Sequence, residues 1–168
     1  TLAKAFPEAV ARLVRLKNSR GLEDVKLVLI TDATRLQAPE VVRGIDLLME
    51  HGGEIWAKLD AGTEAHYREI NRSPVPFARI LENLESAGKR WPLTIQTLFL
   101  EWQGQGPSEG EIEAYKARLQ ALRDSGARLQ GLQIYTVARP TPEAAARPLD
   151  AHALDALAAS IADAIPGL

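Results

Sequence analysis

The sequence predicts an α/β fold in which about four parallel strands, with helices outside, form a partial TIM-type (β/α) barrel. Three observations lead there. Short β-like runs alternate with segments of helical periodicity along the whole chain. Successive runs begin about 30–40 residues apart, a spacing at which eight units would fill a barrel of roughly 250 residues. Each run also closes on polar side chains, at the end where parallel α/β folds bind ligands. A single domain over residues 1–168 follows, with about half the strand–helix units of such a barrel.

The segment from Thr1 to Arg20 is amphipathic and basic enough to imitate a transit peptide, but Pro7 at a helix start and a stripe of Val10, Leu13 and Val14 fit a packed helix better. The first strand is Val25–Thr31. Pro39 opens a helix with Val41, Ile45 and Leu48 on one face, which stops at Gly52–Gly53. After the second strand, Glu54–Asp60, a short helix near Thr63–Asn71 precedes one with Phe77, Ile80, Leu81 and Leu84 at helical spacing before Gly88. The third strand is Leu93–Leu100. The glycine-rich loop Gly104–Gly110 lacks a dinucleotide or P-loop pattern and reads as a turn, with Ser108 and Glu111 as a capping box. That helix buries Ile112, Tyr115, Leu119 and Leu122 and ends at Gly126. The fourth strand, Leu129–Val137, precedes a helix capped by Asp150 and facing inward through Leu154, Leu157 and Ile161.

Alternation of this kind requires parallel strands joined by helical crossovers, because a hairpin cannot reach a parallel neighbour. The leading helix has no strand before it and the chain has no initiator Met, so the pattern implies an upstream segment. A small open sheet with the first helix packed over the first strand is the alternative.

Composition narrows the function classes. With 20 basic and 22 acidic residues, a net charge of −2 offers no general attraction to nucleic acid. The longest apolar run, Leu27–Ile30, is far short of the ~18 residues of a membrane span. The absence of cysteine excludes disulfides, Cys-ligated zinc and any iron–sulfur cluster bound by this stretch alone. His51, His66 and His152 fall on three helices without ligand spacing, so no metal site is expected. Trp56, Trp91 and Trp102 read as core or edge aromatics.

The candidate site lies at the strand ends. Alternation puts Trp56, Lys58 and Asp60 on one face and Ile55, Ala57 and Leu59 on the other; Thr94 pairs with Gln96, and Gln133 with Tyr135, in the same sense. The apolar phases should face the helices and the polar phases inward, where polar groups need a hydrogen-bonding ligand or water. Lys58 and Asp60 form either a simple ion pair or a clamp, with Lys58 meeting a carboxylate or phosphate and Asp60 orienting it or a ribose hydroxyl. Gln96 is a satisfied core amide or a ligand contact. Arg139 is a carboxylate clamp or a solvated loop residue. Asp32 followed by Thr34 lacks the second acid of a phosphoryl-transfer site. No nucleophile constellation is present, and no catalytic residue stands out.

The segments Thr31-Asp32, Lys58-Leu59-Asp60-Ala61-Gly62, Ile70-Asn71-Arg72, Ile95-Gln96-Thr97 and Tyr135-Thr136-Val137-Ala138-Arg139, in that order, resemble the later strands of the radical S-adenosylmethionine (SAM) superfamily. They are most similar to a subgroup of uncharacterised iron–sulfur oxidoreductases whose first such strand ends in Thr-Asn, where this chain has Asp32. The resemblance covers nearly the whole chain. It implies that the four strands are the third to sixth of a six-unit partial barrel, and that Thr1-Leu2 continues the segment holding the methionine amino group. The loop of three cysteines that ligates the 4Fe–4S cluster would lie in the intact protein only.

On that resemblance the cofactor-binding set comprises Thr31, Lys58, Asp60, Gln96, Tyr135, Thr136 and Arg139. Lys58 and Asp60 would contact the carboxylate or ribose of SAM, Gln96 would lie near the ligand, and Tyr135 and Thr136 would lie near the adenine. The implied function is that of part of a radical SAM enzyme, acting through a 5′-deoxyadenosyl radical on an unknown substrate in the cytoplasm, with a reductant protein as partner. The isolated chain would be inactive without cluster ligands. The competing expectation is a non-enzymatic α/β module that binds a small molecule in the strand-end crevice, or a partner, including a second copy, through its uncovered N-terminal side.

Overall fold

The computed structural model describes residues 4–168; the Thr1-Leu2 assignment lies outside them. The element order is α1 (Phe6–Ser19), β1 (Val28–Thr31), α2 (Pro39–Glu50), β2 (Glu54–Lys58), α3 (Glu64–Ile70), α4 (Phe77–Arg90), β3 (Leu93–Leu98), β4 (Leu100–Trp102), α5 (Glu109–Asp124), β5 (Leu129–Tyr135), β6 (Ala146–Pro148) and α6 (Ala151–Ala164). The α/β class, the parallel sheet and all six helices agree with the sequence reading.

The main sheet has the order β1-β2-β3-β5 with every pair parallel. The strands therefore sit side by side in chain order, an arrangement common to a sector of a barrel and to one half of a doubly wound sheet. Leu29, Ile55, Ala57 and Ile95 share one face with Leu132 and Ile134. That face joins a single apolar core with Val41 and Ile45 of α2, Ile80 and Leu84 of α4, Tyr115 and Leu119 of α5, and Ile161 of α6. Val28, Ile30, Trp56, Lys58, Thr94, Gln133 and Tyr135 fall on the opposite phase, which keeps part of its surface open.

Several boundaries differ from expectation. β1 starts at Val28, because the Val25 N–H turns back to the Leu22 carbonyl. The run expected as Leu93–Leu100 splits at the buried Phe99, and Leu100–Trp102 pairs antiparallel with Ala146–Pro148 in a second, two-stranded sheet. Pro148 is tolerated at the end of that short edge strand, where no long ladder needs its missing N–H.

The caps follow the sequence. Thr63, Ser108 and Asp150 side chains accept from the N–H groups of His66, Glu111 and Ala153. Ser108 caps α5, but the Glu111 side chain does not turn back to complete a capping box.

The first helix departs from its expected stripe. Val10 and Val14 are buried with Leu48 of α2, while Leu13 is 50% exposed. α1 lies close to α2 because Gly44 leaves room for the Phe6 ring; a Cβ at Gly44 would stand 2.4 Å from Phe6 Cδ1. Among the described residues, the exposed large apolar side chains are Leu13, Leu16, Leu22, Val25, Val28 and Ile30. They occupy α1, the connection after it and the free-edged strand β1. Among the described residues, no helix is long and apolar enough to cross a membrane.

Candidate functional site

The second strand delivers the centre of the site. Lys58 is its last residue and projects on the uncovered phase, while Leu59 turns into the core at 1% exposure. The chain then bends so that the Asp60 carboxylate, only 3% exposed, is enclosed. Its Oδ1 accepts the Leu98 N–H at 3.0 Å and lies 3.1 Å from Lys58 Nζ, and its Oδ2 accepts Asn71 Nδ2 at 2.9 Å. A buried carboxylate needs partners of this kind to offset its lost hydration.

Lys58 Nζ also donates to Tyr135 Oη at 2.5 Å, across three strands. Burial alone would lower the Lys58 pKa, but the Asp60 charge and the Tyr135 hydroxyl outweigh it and hold the ammonium above its ordinary value. Lys58 is therefore held as a cation beside Asp60.

Beside Lys58 in register lie Gln96 and Gln133. Gln96 Nε2 donates to Gln133 Oε1 at 2.6 Å. The pairing answers the choice posed for Gln96 in part: one of its amide groups is satisfied by a neighbour.

Support comes from behind the strand ends. Thr97 Oγ1 donates to the Leu59 carbonyl at 3.0 Å and bonds Tyr115 Oη, whose pKa is raised by burial against a smaller lowering from Thr97. Gly62 packs against α5 so closely that a Cβ would stand 2.1 Å from the Tyr115 nitrogen. The buried Glu111 carboxylate accepts from Gly62 N–H and, at 2.6 Å, from Thr63 Oγ1.

Lys58, Asp60 and Tyr135 thus come together, with Gln96 beside them. The other expected contacts lie apart. Thr31 is buried on the helix-facing side of the sheet, where its Oγ1 accepts the Ala33 N–H at 3.2 Å. Thr136 Oγ1 accepts the Leu149 N–H at 2.9 Å. Arg139 is exposed in the loop beyond β5.

A cleft of about 110 Å³ opens next to the Lys58–Asp60 pair, lined also by Asp32, Thr34, Asn71 and Ser73 over Leu59, Tyr67, Phe77 and Ile80. Asp32 Oδ1 accepts both the Thr34 N–H at 3.1 Å and its hydroxyl at 2.8 Å. Asn83, buried on α4, donates to the carbonyls of Ala33 and Thr34. Two non-glycine residues with left-handed backbone flank the cleft, Ala33 at φ 62° and Arg72 at φ 49°. Such conformations cost roughly 1–3 kcal/mol and persist where surroundings over-determine them.

Sequence reasoning did not anticipate Glu111, Asn83 or Asn71 as structural members of this site. Asn83 had a signal, since an amide interrupts the inward face of α4 between Ile80 and Leu84. Glu111 had the opposite, a capping pattern that suggested a local role.

The donor set bears unevenly on the implied cofactors. With no cysteine, this chain offers no thiolate for an iron–sulfur cluster. The polar array of Lys58, Gln96, Gln133 and Tyr135 is compatible with a ligand such as SAM. Comparison with protein families, curated proteins and solved structures finds no match for the chain.

Proposed function

We propose that this chain is the C-terminal part of a radical SAM core, lending SAM-binding and substrate-cavity strands to an enzyme whose cluster-binding segment lies upstream. The observation that carries the reading is a parallel sheet wound in one direction, with an apolar face under helices and a polar array at the strand ends of the other face. The free edge of β1, flanked by exposed Leu13, Leu16, Val28 and Ile30, is where preceding barrel strands would add.

In this role Lys58 supplies a permanent positive charge for a carboxylate, held in place by Asp60 and Tyr135. Gln96 and Gln133 present amide groups to the polar part of the ligand. SAM itself would supply the radical chemistry once an upstream cluster reduces it. The isolated chain is accordingly inactive.

The test is a titration of the isotope-labelled chain with SAM, followed by NMR, which registers binding even in the millimolar range. Saturable shifts at Lys58, Gln96 and Tyr135 that Lys58→Ala removes are expected. Millimolar SAM that leaves those signals unmoved in the folded chain refutes the proposal.

The second reading, a non-enzymatic interaction module, draws on the same six exposed apolar side chains around α1 and β1. Concentration-dependent self-association together with no SAM binding favours it.

A further inference from the structure

We propose that the cleft between the ends of β1 and β2 and the α3–α4 connection binds a primary ammonium group on a short apolar stem. Charge is the first argument. Lys58 and Asp60 form an ion pair, whereas Asp32, which also lines the cleft, has no ion-pair partner among the described residues. The cleft therefore carries one uncompensated negative charge, which favours a cation.

The hydrogen-bonding inventory points the same way. Both bonds that Asp32 accepts go to Oδ1, so its other oxygen is available. Asn71 must turn Nδ2 toward Asp60, because a carboxylate only accepts; its Oδ1 is then left buried with no partner. An entering ammonium would donate to the free Asp32 oxygen, in a cleft whose wall also holds the unpartnered Asn71 amide oxygen. An entering anion would meet the carboxylates of Asp32 and Asp60.

Shape sets the stem and the size. The floor is apolar, built from Leu59 and Ile80 with the rings of Tyr67 and Phe77, which stack at 5.1 Å. About 110 Å³ is room for a head group and a few carbons, well below the roughly 300–1,000 Å³ that holds a whole drug-sized ligand. The walls are set in advance: Asn83 fixes the Ala33–Thr34 carbonyls, and the left-handed Ala33 and Arg72 are held in place on either side. The cleft shares Lys58 and Asp60 with the proposed SAM contacts, but Asp32, Asn71 and Ser73, which carry this inference, lie outside that set.

The experiment titrates the labelled chain with n-propylammonium, and separately with propionate and with 1-propanol. Saturable shifts of Thr34, the Asn71 side-chain amide and Ser73 with the ammonium alone are expected. Asp32→Asn, which keeps an acceptor for the Thr34 turn, should weaken binding about tenfold or more, the usual scale for a charge-assisted hydrogen bond. Ser73→Trp, which fills the mouth from a half-buried position, should abolish it. Equal shifts with propionate or propanol, or undiminished ammonium binding in both variants, overturn the proposal. Loss of the SAM-dependent shifts at Gln96 and Tyr135 alone would refute the SAM reading and leave this one intact.

Discussion

Gly62 donates its backbone N–H to the buried carboxylate of Glu111 at 2.5 Å, a bond that joins residues 49 positions apart. It fastens the start of α5 to the turn that follows Lys58 and Asp60. The same carboxylate holds the Thr63 hydroxyl, and Arg118 Nε donates to the Gly62 carbonyl at 3.1 Å, so both backbone groups of Gly62 are engaged by side chains of α5.

Glu111→Ala is expected to cost about 2–4 kcal/mol, because it leaves a buried N–H and a hydroxyl without their charged acceptor. Gly62→Ala forces a methyl into the backbone of α5 and is expected to cost at least about 1–3 kcal/mol. Urea denaturation followed by circular dichroism measures both. A change below about 0.5 kcal/mol in either, the range of ordinary surface substitutions, contradicts the latch.

The Lys58–Asp60 pair is asymmetric. Asp60→Ala strands the Leu98 N–H, the Asn71 amide and the Lys58 ammonium together, and should destabilise by about 3–5 kcal/mol. Lys58→Met leaves Asp60 with its Leu98 and Asn71 bonds, and Lys58 is itself 26% exposed, so about 1–2 kcal/mol is expected after allowance for solvent screening. Denaturant midpoints of the two variants should fall in that order.

Alkaline pH should weaken the fold. The pKa values of Lys58 and Tyr115 are both raised in the folded state, so each group gives stability that is present in full below its ordinary value and is lost as pH climbs toward the folded one. Above about pH 10 the unfolded chain holds fewer protons at these groups, and stability falls with pH. Tyr115→Phe should flatten part of that decline. Thermal melts between pH 8 and pH 11 give the comparison, and identical slopes for parent and variant would exclude Tyr115 as a cause.

The apolar side around α1 and β1 should make the chain associate as its concentration rises. Paired substitutions Leu16→Lys and Ile30→Lys place charge on two positions that are 51% and 56% exposed. Sedimentation velocity should show a shift from larger species to monomer with little change in melting temperature.

The alternation of strands and helices was legible because each main element is long enough to display its period, as with Val41, Ile45 and Leu48 in α2 or Ile55 and Ala57 in β2. β6 was not, since three residues ending in Pro148 carry no alternation to read. Lys58 and Asp60 could be placed on one face by counting along a single strand. Their link to Tyr135 spans 77 positions and depends on register, which one strand does not reveal. The side on which Thr31 lies was not legible either: in β1 the apolar Val28 and Ile30 occupy the uncovered phase, which puts Thr31 inside. Leu13 was expected inside because helical spacing marks an apolar stripe without showing how wide a neighbour covers it.

The chain-order arrangement β1-β2-β3-β5 also bears on assembly during synthesis. Each strand of the main sheet finds its partner in the one made just before it, so the polypeptide can grow as a row of nearest neighbours with little loop-closure entropy at any step. The pairing of Leu100–Trp102 with Ala146–Pro148 and the Arg72–Glu143 bridge both need chain made after β5. In chain order they close last, across a sheet whose strands have all been made.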